Sequence, residues 1–422
     1  MLDSFKNKEW TSIFVIFIVL YVSTSFYCKN ILSESENMLI ATAAVLFCTA
    51  KRWPFRISIL QFFFCTVFSL ISLISSILAD DKEKLVIHSI LVMFCAFVLT
   101  SIISFDEFKK CFSWIMVAVC ACSLCTFLIQ IFAPDSLTIF PKISRPGGFS
   151  VYNQFFCVTP IYNRFLRAYG FFWEPGAFQT FINAAIVFVI FGKEMHRVAK
   201  LIILYIALAL TFSTTGWFVG FVNLAILILV NYHKSGKSFL PLLWMPLLFV
   251  GIIAGLIFSP DNIDGVMFGT AKLEAFMDGP SHGSVNSSSV RYDSIYYAIK
   301  LFFQSPVIGC GFNGVTDMTQ TMYHSMFTCT PLNYFAMYGI FYGTIVGYCI
   351  FQIARSLTSF RYDILAILIF VSFMVSTFSE QYVNYLIMDI FIMYGARIAS
   401  ERFVGERVEK NKQENHFFPT IL

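Results

Sequence analysis

The chain has 422 residues, of which 58% are hydrophobic, 18% aromatic and only 13% charged, with a formal net charge of +4. A soluble domain carries about 25% charged residues, so the composition excludes an ordinary soluble protein. The small net charge does not favour a nucleic-acid partner.

Apolar runs long enough to cross a membrane recur along the whole chain, and they lack the period-two alternation of β-barrel strands. We therefore predict an all-α polytopic integral membrane protein with a single membrane domain over residues 1–422. The first apolar run lacks an evident cleavage site and is predicted to be an uncleaved span. The twelve predicted spans are residues 11–28, 37–50, 57–79, 85–105, 111–133, 177–192, 199–212, 215–232, 239–258, 331–354, 364–379 and 382–398.

The seventh and eighth spans are separated only by "FSTTG". They are predicted to be two helices, because one helix over both would far exceed a span of ~20 residues and "STTG" is typical of a turn.

The positions of the basic residues predict the orientation. If the amino terminus is cytoplasmic, the inner segments hold most of the 29 lysines and arginines, as the positive-inside rule requires. Twelve spans then return the chain to the cytoplasm, where residues 399–422 form a tail.

Two outer segments, residues 134–176 and 259–330, are predicted to be large loops. Loops of such length are usually functional. Both contain aromatic and apolar residues and are expected to fold back on the membrane surface. Within the second loop, "SSSVRYDSIYYAIKLFFQSP" predicts an amphipathic helix that lies in the interface, with Arg291 in its first turn.

Most of the twelve cysteines fall within or at the ends of apolar spans, where they are expected to be small buried side chains. Cys120, Cys122 and Cys125 cluster in an apolar run without His or acidic partners, which does not favour a metal site. Cys157, Cys310 and Cys329 lie in the large loops. The sequence leaves open whether two of them form a disulfide bond.

Outer arginines run against the positive-inside rule. Topology places Arg145, Arg164, Arg167 and Arg291 on the outer side. Arg167 precedes Glu174, and Pro175 is predicted at the first position of the sixth span, where free helix amides carry partial positive charge. Guanidinium groups beside a helix amino terminus favour phosphate binding. Pairing with lipid headgroups or a neighbouring acid remains the alternative.

His324 stands just before the tenth span, where a neutral imidazole could accept a proton from a hydroxyl group. Asp389 lies inside the twelfth span, and an ionisable group there indicates either function or helix–helix hydrogen bonding. Glu174 is interpreted as a helix cap or an orienting partner for Arg167, and Glu380 as a short-loop residue.

Four segments share a family pattern. "RAYGFFWEPGAF" resembles the R-x-x-G-x-x-x-x-P segment that precedes a span in the O-antigen polymerase and ligase superfamily, and "LTFSTTGW" resembles its hydroxyl-rich turn. "SSSVRYDSIYYAIKLFFQSPVIGCGFNG" resembles its outer-loop pattern of Arg, aromatic helix, Pro and G-x-G. "YHSMF" followed by "YGI" resembles its histidine entry to the next span. The matches follow the family's order and cover roughly residues 165–345.

The resemblance implies a GT-C-like, metal-independent membrane glycosyltransferase without a cofactor, at the periplasmic face of the bacterial inner membrane. Its substrates would be undecaprenyl-diphosphate-linked oligosaccharides, as donor and as acceptor. Arg167 and Arg291 match the arginines implied to bind the donor diphosphate, with Arg145, Arg164, Glu174 and Asp389 as supporting candidates. His324 matches the histidine implied to assist the acceptor hydroxyl.

The resemblance leaves three hypotheses. A Wzy-type polymerase transfers the growing glycan to the non-reducing end of a lipid-linked repeat unit, and a chain-length regulator is a candidate partner. A ligase transfers it to lipid A–core; Ser325, where ligases often carry Asn, favours the polymerase. A lipid-linked oligosaccharide flippase belongs to a different class and is expected to have short outer loops.

Aromatic side chains accompany the arginines in both loops. They are expected to anchor the loops at the headgroups or to stack on sugars. These residues are Tyr169, Phe171, Phe172, Trp173, Tyr292 and Tyr296.

Overall fold

The computed structural model describes residues 2–52, 57–144, 150–161, 166–192, 196–235, 287–321, 328–359 and 363–416, and these are mostly helical. Their α-helices are α1 Leu2–Thr24, α2 Phe26–Ile31, α3 Glu34–Arg52, α4 Ile59–Leu78, α5 Glu83–Ile102, α6 Phe105–Phe132, α7 Pro175–Phe191, α8 Arg197–Leu210, α9 Thr214–Ser235, α10 Ser287–Gln304, α11 Gly311–Thr321, α12 Thr330–Leu357, α13 Asp363–Ser376 and α14 Leu386–His416.

Five of these helices are long and apolar enough to cross a membrane, namely α4, α5, α6, α9 (over Thr214–Asn231) and α12. Shorter apolar helices cover Glu9–Thr24, Pro175–Phe191 and Asp363–Ser379. The distribution of side chains is that of a membrane protein. Large apolar residues such as Ile59 and Phe63 face outward, whereas polar Gln61 is fully buried. The sequence prediction of a helical membrane protein is thus confirmed at this level.

Helices coincide with eleven of the twelve predicted spans, while the ninth, residues 239–258, lies outside the described residues. The first predicted span is divided at Ser25, whose hydroxyl accepts a hydrogen bond from the Cys28 amide and caps α2. The seventh and eighth spans are separate helices, α8 and α9, as predicted. The last helix begins at Leu386, later than predicted.

The described part of residues 134–176, predicted to form the first large loop, contains a small β-sheet that was not predicted from the sequence. A 3-10 helix over Pro134–Ile139 is followed by β1 Lys142–Ser144, β2 Ser150–Asn153 and β3 Val158–Pro160. The strands pair antiparallel in the order β1-β2-β3. They are only three or four residues long, too short for a period-two pattern to stand out.

Buried polar side chains join α7, α9 and α13. Asn223 donates to Asn183 Oδ1 at 2.9 Å, and the Ser372 hydroxyl donates to Asn223 Oδ1 at 2.7 Å. One turn earlier on α7, Gln179 and Thr180 both donate to the Ser376 carbonyl, at 2.9 and 2.8 Å. Inside a membrane no water is present to hydrogen-bond with these polar groups. These bonds therefore fix the axial position of α7 relative to α9 and α13.

Helix α12 is broken at Gly339, where φ is +80° and ψ is −178°. The segment that follows α10 fills the break: the Ile340 amide donates to the Pro306 carbonyl, and the Cys310 amide donates to the Ala336 carbonyl, both at 2.8 Å. A Cβ at residue 339 would overlap the Val307 carbonyl, so glycine is required for both conformation and space. The backbone groups at the break are therefore satisfied by residues 306–310.

All three loop cysteines are free thiols, so no disulfide joins them. Cys157 and Cys329 are buried, and burial raises the pKa of each thiol to about 12. Thiols that remain protonated in this way are poor nucleophiles.

Candidate functional site

The stretch from Ala168 to Trp173 runs through the core as an irregular segment with a turn at Gly170, where φ is +54° and the Phe172 amide donates to the Tyr169 carbonyl at 3.2 Å. The Ala168 amide donates to the Leu210 carbonyl, and the Phe26 amide donates to the Phe171 carbonyl, each at 2.8 Å. Tyr169, Phe171, Phe172 and Trp173 are all buried. The prediction that they anchor the loop at the headgroups or stack on sugars is wrong for these four, because they pack inside the protein and hold this segment in place.

Arg167 stands at the start of this segment and is held by the turn between α8 and α9. Its Nε donates to the Thr211 carbonyl at 2.9 Å, and its Nη2 donates to the Phe212 carbonyl at 3.2 Å. The guanidinium is therefore held by the two residues just before the predicted "STTG" turn, and residues 214–216 of that turn already belong to α9. Backbone carbonyls orient the group without cancelling its charge, in contrast to a carboxylate partner.

Arg167 also lines a cavity of about 260 Å³ beside the small β-sheet. Asp135, Tyr152 and Gln130 share its lining, and Gln130 Oε1 is buried without a hydrogen-bond partner among the described residues. The cavity thus offers both a fixed cation and an unused acceptor.

Glu174 is the amino-terminal cap residue of α7 by backbone position, and Pro175 occupies the first turn as predicted. The Glu174 side chain forms no capping hydrogen bond; its backbone carbonyl accepts from the Ala177 and Phe178 amides. The prediction of a side-chain cap is therefore wrong. The carboxylate instead acts electrostatically on both Arg167 and Arg291.

Glu380, interpreted from sequence as a short-loop residue, is instead 5% exposed and lies beside the start of α7. Trp173 Nε1 donates to its Oε2 at 3.0 Å. A Cβ on Gly176 would overlap Oε1, so only glycine leaves room for this carboxylate. Glu380 thus lies beside the amino terminus of α7, next to the place where a phosphate was predicted from the sequence.

Arg291 lies on the fifth residue of α10, one turn later than predicted, and is half-buried. Burial lowers the pKa of its guanidinium, while Glu380 and Glu174 act in the opposite direction. Burial likewise lowers the pKa of Arg167, and Arg291 adds to that lowering. The two arginines are therefore close enough to repel one another.

Lys29 adds a third cation. Its Nζ lies 4.0 Å from the centroid of the Trp173 ring and interacts with Glu380. We name Lys29, Arg167, Glu174, Arg291 and Glu380 the charged cluster. Burial first, then Glu174, raise the pKa of Glu380 to about 8, which favours its neutral form.

Asp389 is buried in the first turn of α14, and its Oδ1 has no hydrogen-bond partner in the described part of the chain. Its electrostatic neighbours include Tyr334, Tyr338 and Tyr342 of α12. The Tyr334 hydroxyl is a second buried oxygen for which no partner exists among the residues that the structure describes. Asp389 therefore faces a tyrosine-lined environment and is not one of the residues of the charged cluster.

Three predicted site residues, Arg145, Arg164 and His324, lie outside the described residues. The described chain resumes four residues after His324, at Thr328, whose amide donates to the Ser294 hydroxyl at 3.0 Å. Ser294 is three residues beyond Arg291 and so shares its side of α10.

Lys29 and Glu380 belong to the charged cluster, but neither was predicted from the sequence to be a site residue. Glu380 lies 206 positions after Glu174 in sequence, and no local pattern links them. The sequence does contain one signal for Glu380, since it is a carboxylate in a short link between two apolar runs, where an ionisable group indicates function.

Comparison of the chain with protein-family models, with curated proteins and with solved structures found no match.

Proposed function

We propose that this protein is a polysaccharide polymerase of the O-antigen type. It transfers a growing glycan from undecaprenyl diphosphate to the non-reducing end of a lipid-linked repeat unit, at the periplasmic face of the inner membrane. The observation that supports this most directly is the charged cluster, which gathers Arg167 and Arg291 where α7 begins.

The balance of charge in the cluster suits a diphosphate. Three cations face two carboxylates, and the raised pKa of Glu380 favours its neutral form near neutral pH. The excess positive charge then approaches two. Two partly buried guanidiniums repel each other, and a bound dianion removes this repulsion.

The reaction needs cations that do not have to move. The bond between the sugar C1 and the diphosphate oxygen breaks, the diphosphate keeps the bonding electrons, and the acceptor oxygen forms the new bond to C1. Arg167 is oriented by backbone carbonyls before substrate binds, so its charge stabilises the leaving group without reorganisation. His324 is proposed to take the proton of the acceptor hydroxyl, as its place in sequence beside the tenth span suggests.

Arginine substitutions test the diphosphate site. We expect Arg167→Ala and Arg291→Ala to reach the membrane in normal amount while chain elongation falls by roughly 10²–10³-fold, the usual cost of removing one preorganised charge-stabilising donor. Lys300→Ala is the matched control for Arg291, because Lys300 is an exposed cation on the same helix. Lys142→Ala, an exposed outer-loop cation, serves for Arg167. Full-length polysaccharide from either arginine variant would exclude the diphosphate assignment.

The glycan of a deletion strain separates the candidate functions. Lipid A–core that carries a single repeat unit identifies a polymerase. Bare core with accumulated lipid-linked polymer identifies a ligase, and accumulation of single lipid-linked units on the cytoplasmic side identifies a flippase.

A further inference from the structure

A second cavity adjoins the charged cluster and has no role in the reaction as described so far. It has a volume of about 390 Å³ and lies among the ends of α1, α3 and α5 and the segment between α13 and α14. We name it the Lys29 cavity, since Lys29 belongs to its lining. Its volume lies within the range of small-molecule sites, ~300–1,000 Å³.

Two contacts connect the Lys29 cavity to the cluster. Lys29 lines the cavity and also lies over the Trp173 ring, whose nitrogen donates to Glu380. Tyr385, another lining residue, packs on Trp173 with ring centroids 5.6 Å apart. A molecule in this cavity therefore reaches the residues that surround the buried carboxylate.

One amide group of the lining, that of Asn37, has unused hydrogen-bonding capacity. Asn37 donates from Nδ2 to the Cys28 carbonyl at 3.0 Å, but its Oδ1 is buried and has no donor among the described residues. Asn384 and His88 also line the cavity. A buried acceptor without a donor is costly, which indicates that a ligand or water completes it.

This mixture of groups matches the chemistry of a saccharide. Sugar hydroxyls both donate and accept, as amides and imidazole do, and the apolar face of a sugar ring packs on aromatic side chains. An acyl chain would leave Asn37 Oδ1 unpaired, and for a phosphate the charge of Glu34 offsets that of Lys29, since both belong to the lining.

We propose that the Lys29 cavity binds the non-reducing end of the acceptor glycan and presents its hydroxyl to the donor held at the charged cluster. Asn37 and His88 supply hydrogen bonds to sugar hydroxyls, and Tyr385 supplies the apolar face. This assignment rests on the proposed function, because it requires a second saccharide substrate.

The test uses the full chain in nanodiscs with saturating lipid-diphosphate donor. The varied acceptor is a repeat unit on a lipid monophosphate, which can accept a glycan but lacks the diphosphate leaving group. We expect Asn37→Ala and His88→Ala each to raise the acceptor KM by roughly tenfold, the loss of about one hydrogen bond, with little change in kcat and in the donor KM. Lys84→Ala is the matched control, an exposed residue one turn before His88 on α5.

Each result has a distinct meaning. If the wild-type protein transfers glycan and both variants keep the wild-type acceptor KM, the cavity assignment is wrong while the proposed function stands. A selective rise in the donor KM also overturns it, since the cavity then serves the donor. If the wild-type protein transfers nothing in any condition, the proposed function itself fails. Two variants on different helices, α3 and α5, guard against the loss of one to misfolding.

Discussion

Substitution of Gly176 tests whether the buried carboxylate organises the site. In Gly176→Ala the new methyl group overlaps Glu380 Oε1, and the carboxylate must move roughly 1 Å to regain a normal contact of about 3.5 Å. That shift breaks the 3.0 Å bond from Trp173 Nε1. Leaving the buried Trp173 Nε1 without its acceptor costs ~1–3 kcal/mol, and alanine in a helix returns about 0.5–1 kcal/mol. The expected net cost is ~1–2 kcal/mol.

A thermal unfolding assay in detergent and a chain-length ladder of the surface polysaccharide measure the two effects. We expect a lower midpoint and, because Arg291 and Lys29 both interact with Glu380, elongation reduced by roughly tenfold. Gly347→Ala is the matched control, since a Cβ there meets nothing within 4 Å. If Gly176→Ala unfolds and elongates like Gly347→Ala, the reasoning about the Glu380 carboxylate is refuted.

Two further predictions concern protons. His324→Ala is expected to lose most of its turnover, by ~10²–10⁴-fold, while a labelled lipid-diphosphate donor still binds; wild-type turnover would remove the assignment of a base. Glu380 has a pKa raised from its ordinary 4.5 to about 8, so between these values the folded protein binds more protons than the unfolded chain. The free energy of unfolding from this group is therefore highest below about pH 4.5 and decreases as the pH rises through about 8. Glu380→Gln should flatten this dependence of the unfolding midpoint on pH; an equal slope in both proteins would contradict the burial argument.

Local sequence signals predicted the features that have local causes. Proline at the first position of a helix and a hydroxyl-rich turn are both determined by neighbouring residues, which is why Pro175 and the link between α8 and α9 were placed correctly. The two arginines were found because topology alone does not explain outer cations.

Features that depend on distant contacts were not predictable in the same way. Trp173 is buried because Glu380, far along the chain, accepts its hydrogen bond, and the sequence around Trp173 does not contain that information. The break in α12 has the same origin. Gly339 sits within an apolar run that reads as one helix, and its unwinding depends on the segment after α10.

The filled break in α12 has a consequence for how such proteins can be recombined. Residues 306–310 provide the hydrogen-bond partners of the broken backbone of α12. This segment and the first part of α12 must therefore be exchanged together between related proteins. A chimaera that replaces the loop but keeps the helix would separate two halves of a shared hydrogen-bond pattern. Crossovers placed before α10 and after residue 340 keep residues 306–310 and the first part of α12 in the same parent sequence. Arg291 on α10 is then transferred together with both.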